Sequence, residues 1–105
     1  MSRTIDSDRE ASAAPRPPGS SLSGLRILVL DDEEPIRRVL EYFLVSQNCR
    51  VSTAPHGRAG LDLLLREEFD LAVVDLRMAE MDGLTFIEEA RNIWPGLGLV
   101  PMTGF

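Results

Sequence analysis

Two short runs, LRILVL at residues 25–30 and LAVVD at 71–75, are apolar with almost no alternation. A strand with one wet face alternates apolar and polar residues. A strand that reads apolar throughout is buried on both faces, as in a parallel sheet covered by helices. Parallel strands need long crossovers between them, and the segments after each run read as helices. In DDEEPIRRVLEYFLVSQN (31–48), Ile36, Val39, Leu40, Phe43 and Leu44 recur at i, i+3, i+4, i+7 and i+8, one helical face. Pro35 suits the first turn of that helix, where its missing N–H is not needed, and Glu33 and Glu34 lie at the positive end of the helix dipole.

RVSTA (50–54) reads as a second strand, and PHGRAGLDLLLREEF (55–69) as a second helix with Leu61, Leu64 and Leu65 facing inward. GLTFIEEARNIW (83–94) reads as a third helix with Leu84, Ile87, Ala90 and Trp94 as core contacts, stopped by Pro95 and Gly96. LGLVPM (97–102) is a fourth, weaker strand. Pro101 removes a ladder donor from it, which an edge strand tolerates best. Strand and helix alternate down the chain, so the expected fold is α/β with a parallel sheet and right-handed crossovers.

The length of 105 residues fits one small domain. Residues 1–24 mix Ser, Ala, Pro, Arg and Asp with few large apolar side chains, and Arg3, Arg9 and Arg16 balance Asp6, Asp8 and Glu10. Such a segment buries too little surface to offset ordering entropy, so it reads as a disordered N-terminal tail ahead of a domain at 25–105. The net charge of −6 argues against direct nucleic-acid binding. Cys49 is the single cysteine, which excludes an intrachain disulfide and favours a reduced, cytoplasmic setting; it reads as an inert thiol. No apolar run reaches membrane-spanning length, and the N-terminus lacks the apolar stretch of a signal peptide.

In an open parallel sheet, ligands bind beyond the carboxyl ends of the strands. Asp31 and Asp32 end the first strand and Asp75 ends the third. With strand order 2-1-3-4 these strands are neighbours and the three carboxylates meet. Three anions in one place repel, and a bound Mg²⁺, which takes oxygen ligands, resolves the repulsion. A carboxylate beside Mg²⁺ is placed to attack a phosphoryl group.

At these spacings ILVLDDEEPIRRVL, AVVDLRMAEMDGL and MTGF resemble the bacterial two-component response-regulator receiver domain, over Leu25 to Phe105. The resemblance implies a flavodoxin-like doubly wound sheet. It implies that Asp75 is the phosphoacceptor and that Thr103 is the hydroxyl that closes on the phosphoryl group. It implies Mg²⁺ held by Asp32 directly, by Asp31 through water, by Asp75, and by the backbone carbonyl of Arg77. It further implies a sensor histidine kinase as donor and an output domain or downstream protein as receiver of the signal. The chain departs from the family's usual pattern at Ala79, where the family has proline. The family's next helix, its fifth strand with an active-site lysine and its last helix would fall beyond Phe105, so the domain is expected to be incomplete at its C-terminus. None of the eleven basic residues is lysine. An uncovered fourth strand, with the apolar LGLV, would invite pairing with a second copy.

Blander readings apply to other residues. Met78 and Met81 read as loop packing, His56 as an exposed helix start, and Arg37 and Arg38 as a solvated face. Asp82-Gly83 reads as a turn in which glycine tolerates an unusual φ. An EF-hand reading of DLRMAEMDG fails because Arg77 and Ala79 stand where oxygen side chains are required. A Mg²⁺ phosphohydrolase reading is disfavoured by Arg77, two residues after Asp75, where such enzymes tend to carry an acid. A non-phosphorylated interaction module is the remaining alternative to a phosphorelay switch, which is itself not a metabolic enzyme.

Overall fold

The computed structural model describes residues 22–78 and 83–102. Seven elements alternate along the chain: β1 (Arg26–Leu30), α1 (Glu34–Ser46), β2 (Arg50–Ala54), α2 (Gly57–Arg66), β3 (Leu71–Asp75), α3 (Gly83–Ile93) and β4 (Gly98–Met102). The four strands form one parallel sheet in the order β2-β1-β3-β4, the order expected. Among the described residues, Leu22 packs near Leu44 and Cys49. Residues 1–21 of the expected tail lie outside the described residues.

β1 is central, and Ile27 to Leu30 are fully buried, which is why its sequence does not alternate. Leu28 and Leu30, with Ala72 and Val74 of β3, face a core built by Leu61 and Leu64 of α2 and Phe86 and Ala90 of α3. Ile27 and Val29 face the opposite way, against Leu40 and Leu44 of α1, with Leu71 and Val73 alongside. The apolar face of α1 is therefore present but mostly wet: Leu44 is buried, whereas Val39 is 66% and Phe43 53% exposed.

The end of α1 shows how a local sequence closes a helix. Asn48 takes φ 66°, a left-handed conformation that Asn tolerates. Its N–H donates to Val45 O, the Cys49 N–H donates to Leu44 O, and Cys49 and Leu44 share one apolar cluster. These are the two bonds and the apolar contact of a Schellman motif.

Two helix faces differ from expectation. In α2, Leu61 and Leu64 are buried but Leu65 is exposed, and Leu63 packs in part. In α3 the buried face is Gly83, Phe86 and Ala90, with Ile87 beside it; Leu84 is 64% exposed, and Trp94 sits at the rim with its indole N–H on Leu64 O at 2.8 Å. The phase is set by a neighbour. A Cβ on Gly60 of α2 would lie 3.0 Å from Phe86 Cε1 and 3.2 Å from Leu30 Cδ1, so the bare glycine makes the hole that Phe86 fills.

Among the described residues β4 lies at the edge of the sheet. Gly98 donates to Asp70 O and Met102 O accepts from the Leu76 N–H, so Gly98, Val100 and Met102 turn their peptide groups toward β3. By the alternation of a parallel ladder, Pro101 points its missing donor outward, and no bond to β3 is lost.

Candidate metal centre

The register sets Leu30 beside Val74, so the residues that follow, Asp31 and Asp75, stand side by side at the carboxyl ends of β1 and β3. Oxygens of Asp31, Asp32 and Asp75 all lie within 4.8 Å of one another. Asp31 is 4% and Asp75 6% exposed, and Asp32 is open to solvent. The three candidates that the sequence pointed to are thus brought together.

Both buried acids are held by the same local device. Asp31 Oδ1 accepts the Glu33 N–H at 2.9 Å, and Asp75 Oδ1 accepts the Arg77 N–H at 2.9 Å. In each case a carboxylate bonds two residues ahead in the turn that leaves the strand. The Arg77 N–H thus orients the Asp75 carboxylate through one of its two oxygens. Burial pushes the Asp31 carboxyl above the usual carboxylate range; the Glu33 N–H pulls it down, and the charges of Asp75, Asp32 and Glu33 push it up.

Gly83 keeps this geometry. A Cβ there would fall 2.6 Å from Asp75 O and 2.6 Å from Leu76 Cα, both backbone. The expected reason for this glycine, an unusual φ, is corrected: among the described glycines only Gly24 has a positive φ, and Gly83 is needed because α3 abuts the peptide that follows Asp75. Met78 packs into the core as expected. Thr103, Ala79, Met81 and Asp82 lie outside the described residues.

Two residues behave unlike their bland readings. Arg38 stays on a solvated face, paired with Glu34 at 2.8 Å, but Arg37 is half-buried and its Nη1 donates to the backbone carbonyl of Asp31 at 2.8 Å. A signal for this was present: a cation in the first turn of a helix opposes the dipole and so needs another reason to be there. His56 is half-buried and is the N-cap of α2, its Nδ1 accepting the Ala59 N–H at 3.2 Å.

The donor set is three carboxylates, all oxygen, with a buried anion whose charge no ion pair among the described residues offsets. That set fits a hard divalent cation such as Mg²⁺. Among the described residues no helix is long and apolar enough to cross a membrane.

Comparison with known proteins gives the same picture. The transcriptional regulatory protein GlrR of Escherichia coli K12 is 38% identical over 77 residues, which is 73% of this chain and 17% of that protein. ZraR of the same organism is 34% identical over 79 residues, 75% of this chain and 18% of that one. The chain spans under a fifth of these regulators. Among solved structures, the response regulator TrrA of Thermotoga maritima, in complex with Mg²⁺-BeF, superposes with a TM-score of 0.73 at 30% identity, over 77% of this chain and 70% of that one. A CheY-like receiver from Methanospirillum hungatei gives 0.76 at 30% identity, over 79% and 66%. The flavodoxin-like order of strands is shared with them. The family model of the response regulator receiver domain matches residues 27–105, and to that family of two-component signalling switches this chain belongs.

Proposed function

We propose that this receiver takes a phosphoryl group from a sensor histidine kinase onto Asp75, in a Mg²⁺-dependent reaction, and passes the change to an output domain or partner protein. The observation that carries the reading is the convergence of Asp31, Asp32 and Asp75 within 4.8 Å at one end of the sheet. Asp32 and the Arg77 backbone carbonyl would hold the metal directly and Asp31 through water. When bound, Mg²⁺ neutralises the phosphoryl oxygens as charge builds on them.

The chain's own residues do the rest. The Arg77 N–H holds Asp75 Oδ1, which would leave Oδ2 as the attacking oxygen. That oxygen attacks phosphorus; the bond from phosphorus to the donor's imidazole nitrogen breaks, and the nitrogen keeps the electron pair. The product is an acyl phosphate on Asp75. Burial of Asp75 limits water's access to it. Thr103 would then close on a phosphoryl oxygen to report the new state.

A non-phosphorylated interaction module is the competing reading. Intact mass after incubation with Mg²⁺ and a small acyl-phosphate donor separates the two readings. A gain of one phosphoryl group in the native chain, lost with chelator and in Asp75→Asn, is the expected result. An unchanged mass in the native chain, with the fold intact by circular dichroism, would leave the module.

A further inference from the structure

Asp31 is tied down at each of its polar groups. Its N–H donates to Ala54 O of β2 at 3.2 Å, its Oδ1 accepts the Glu33 N–H at 2.9 Å, and its carbonyl accepts Arg37 Nη1 at 2.8 Å. Asp32, the next residue, is exposed, and among the described residues its carboxylate has no hydrogen-bond partner. The peptide plane that joins Asp32 to Asp31 is therefore the fixed frame from which the Asp32 side chain starts. The carbonyl of that peptide is the atom that Arg37 holds.

We infer that Arg37 is a positioning residue for the acidic cluster: its guanidinium fixes the Asp31–Asp32 peptide so that the Asp32 carboxylate meets those of Asp31 and Asp75 around one cation. The inference rests on the Mg²⁺ reading above and adds to it a residue outside the ligand set. Arg37 is well suited to the task. It rises from the first turn of α1, where its own N–H donates to Glu33 O at 3.1 Å, so the side chain springs from the same turn it stabilises. A planar guanidinium satisfies a carbonyl without taking a proton from, or forming an ion pair with, the acids that must stay available.

Charge and geometry make opposite predictions. Were Arg37 only a cation near three anions, its removal would relieve repulsion of Mg²⁺ and tighten metal binding. If it positions Asp32, its removal weakens metal binding although a positive charge has gone. The test is Mg²⁺ titration by calorimetry on the whole chain, with circular dichroism of each variant as a check on α1.

Arg37→Met keeps the length and loses the donors, and should weaken Mg²⁺ about tenfold, the scale of a hydrogen bond from a charged donor. Arg37→Lys keeps a donor of similar reach and should stay within about threefold of the native chain. Should the Met variant fail to fold, Arg37→Gln, whose amide is too short for the carbonyl, is expected to show the same weakening. A folded Met or Gln variant that binds Mg²⁺ as tightly as the native chain, or more tightly, overturns the inference while leaving the receiver reading intact. A native chain that binds no Mg²⁺, or binds it equally well as Asp32→Asn, overturns the metal reading and this inference with it.

Discussion

Where the strands begin, Arg26 donates from its backbone N–H to Asp70 Oδ2 at 2.8 Å, from Nε to the same oxygen and from Nη2 to Oδ1 at 3.3 Å, and from Nη1 to Glu68 at 3.1 Å. The Asp70 backbone closes the arrangement: its N–H donates to Arg26 O and its carbonyl accepts from Gly98, so one residue joins β1, β3 and β4. Where the strands finish, Asp31, Asp32 and Asp75 face one another, and none is in an ion pair among the described residues. The same sheet thus neutralises its charges at one end and concentrates them at the other. Paired acids hold a fold together. Unpaired acids a few ångströms apart strain it, and are retained where something else is meant to bind.

The contrast predicts opposite signs for removing an acid. Asp70→Ala strips the half-buried Arg26 of a charge-assisted partner and should cost about 2–3 kcal/mol. Urea denaturation at neutral pH measures it directly. A loss below a few tenths of a kcal/mol would mean that the N-terminal end is held by backbone ladders alone, and that the two ends differ less than their geometry suggests.

At the other end, Asp31→Asn should raise stability in the absence of divalent cations, by about 1 kcal/mol, the size of a typical single-site effect. Asp31 in the folded chain holds its proton more tightly than an ordinary carboxylate, chiefly because it is buried. Its contribution to stability is therefore full below the ordinary carboxylate range and is lost as pH rises through the folded value. At neutral pH the native chain carries that loss and the Asn variant does not. The gain should shrink toward zero as pH falls into the carboxylate range. A gain that is the same at pH 4 and pH 7 would assign it to packing. Millimolar Mg²⁺ should reverse the order, because the native chain, with its full set of carboxylates, then gains more from binding.

The two ends were not equally legible in the sequence. The functional end was readable because apolar runs that finish on Asp, separated by helical segments, leave few topologies, and the order 2-1-3-4 brings the acids together. The clamp at the opposite end was not foreseen. Arg26 and Asp70 are 44 residues apart, and neither stands out from the other charges around it. Arg37 was legible only as a cation placed against the helix dipole; its partner is a backbone carbonyl, which no side-chain pattern names. The face of α3 was misphased because Leu84 and Trp94 look like core residues on their own helix. The socket that decides the matter is a glycine on a different one.

The smallest effect is expected at His56, which lies at the functional end but belongs to its scaffold. The imidazole caps α2 by accepting the Ala59 N–H at Nδ1, two residues along from Ala54, whose carbonyl takes the Asp31 N–H. An imidazole can accept there only while Nδ1 carries no proton, with the hydrogen on Nε2. His56→Ala should cost about 0.5–1 kcal/mol, the ordinary worth of a helix cap, and His56→Asn should recover most of it with its own side-chain acceptor. Urea midpoints of the three chains at pH 8 test this. If His56→Ala costs as much as Asp70→Ala, the functional end is braced as firmly as the clamped one. The comparison would then have to be redrawn as charge against charge, with rigidity shared by both ends. If the cost is small and Asn restores it, the acids are held by a set of weak backbone bonds, each replaceable, which is the arrangement that lets a cluster of like charges readjust when a cation or phosphoryl group arrives.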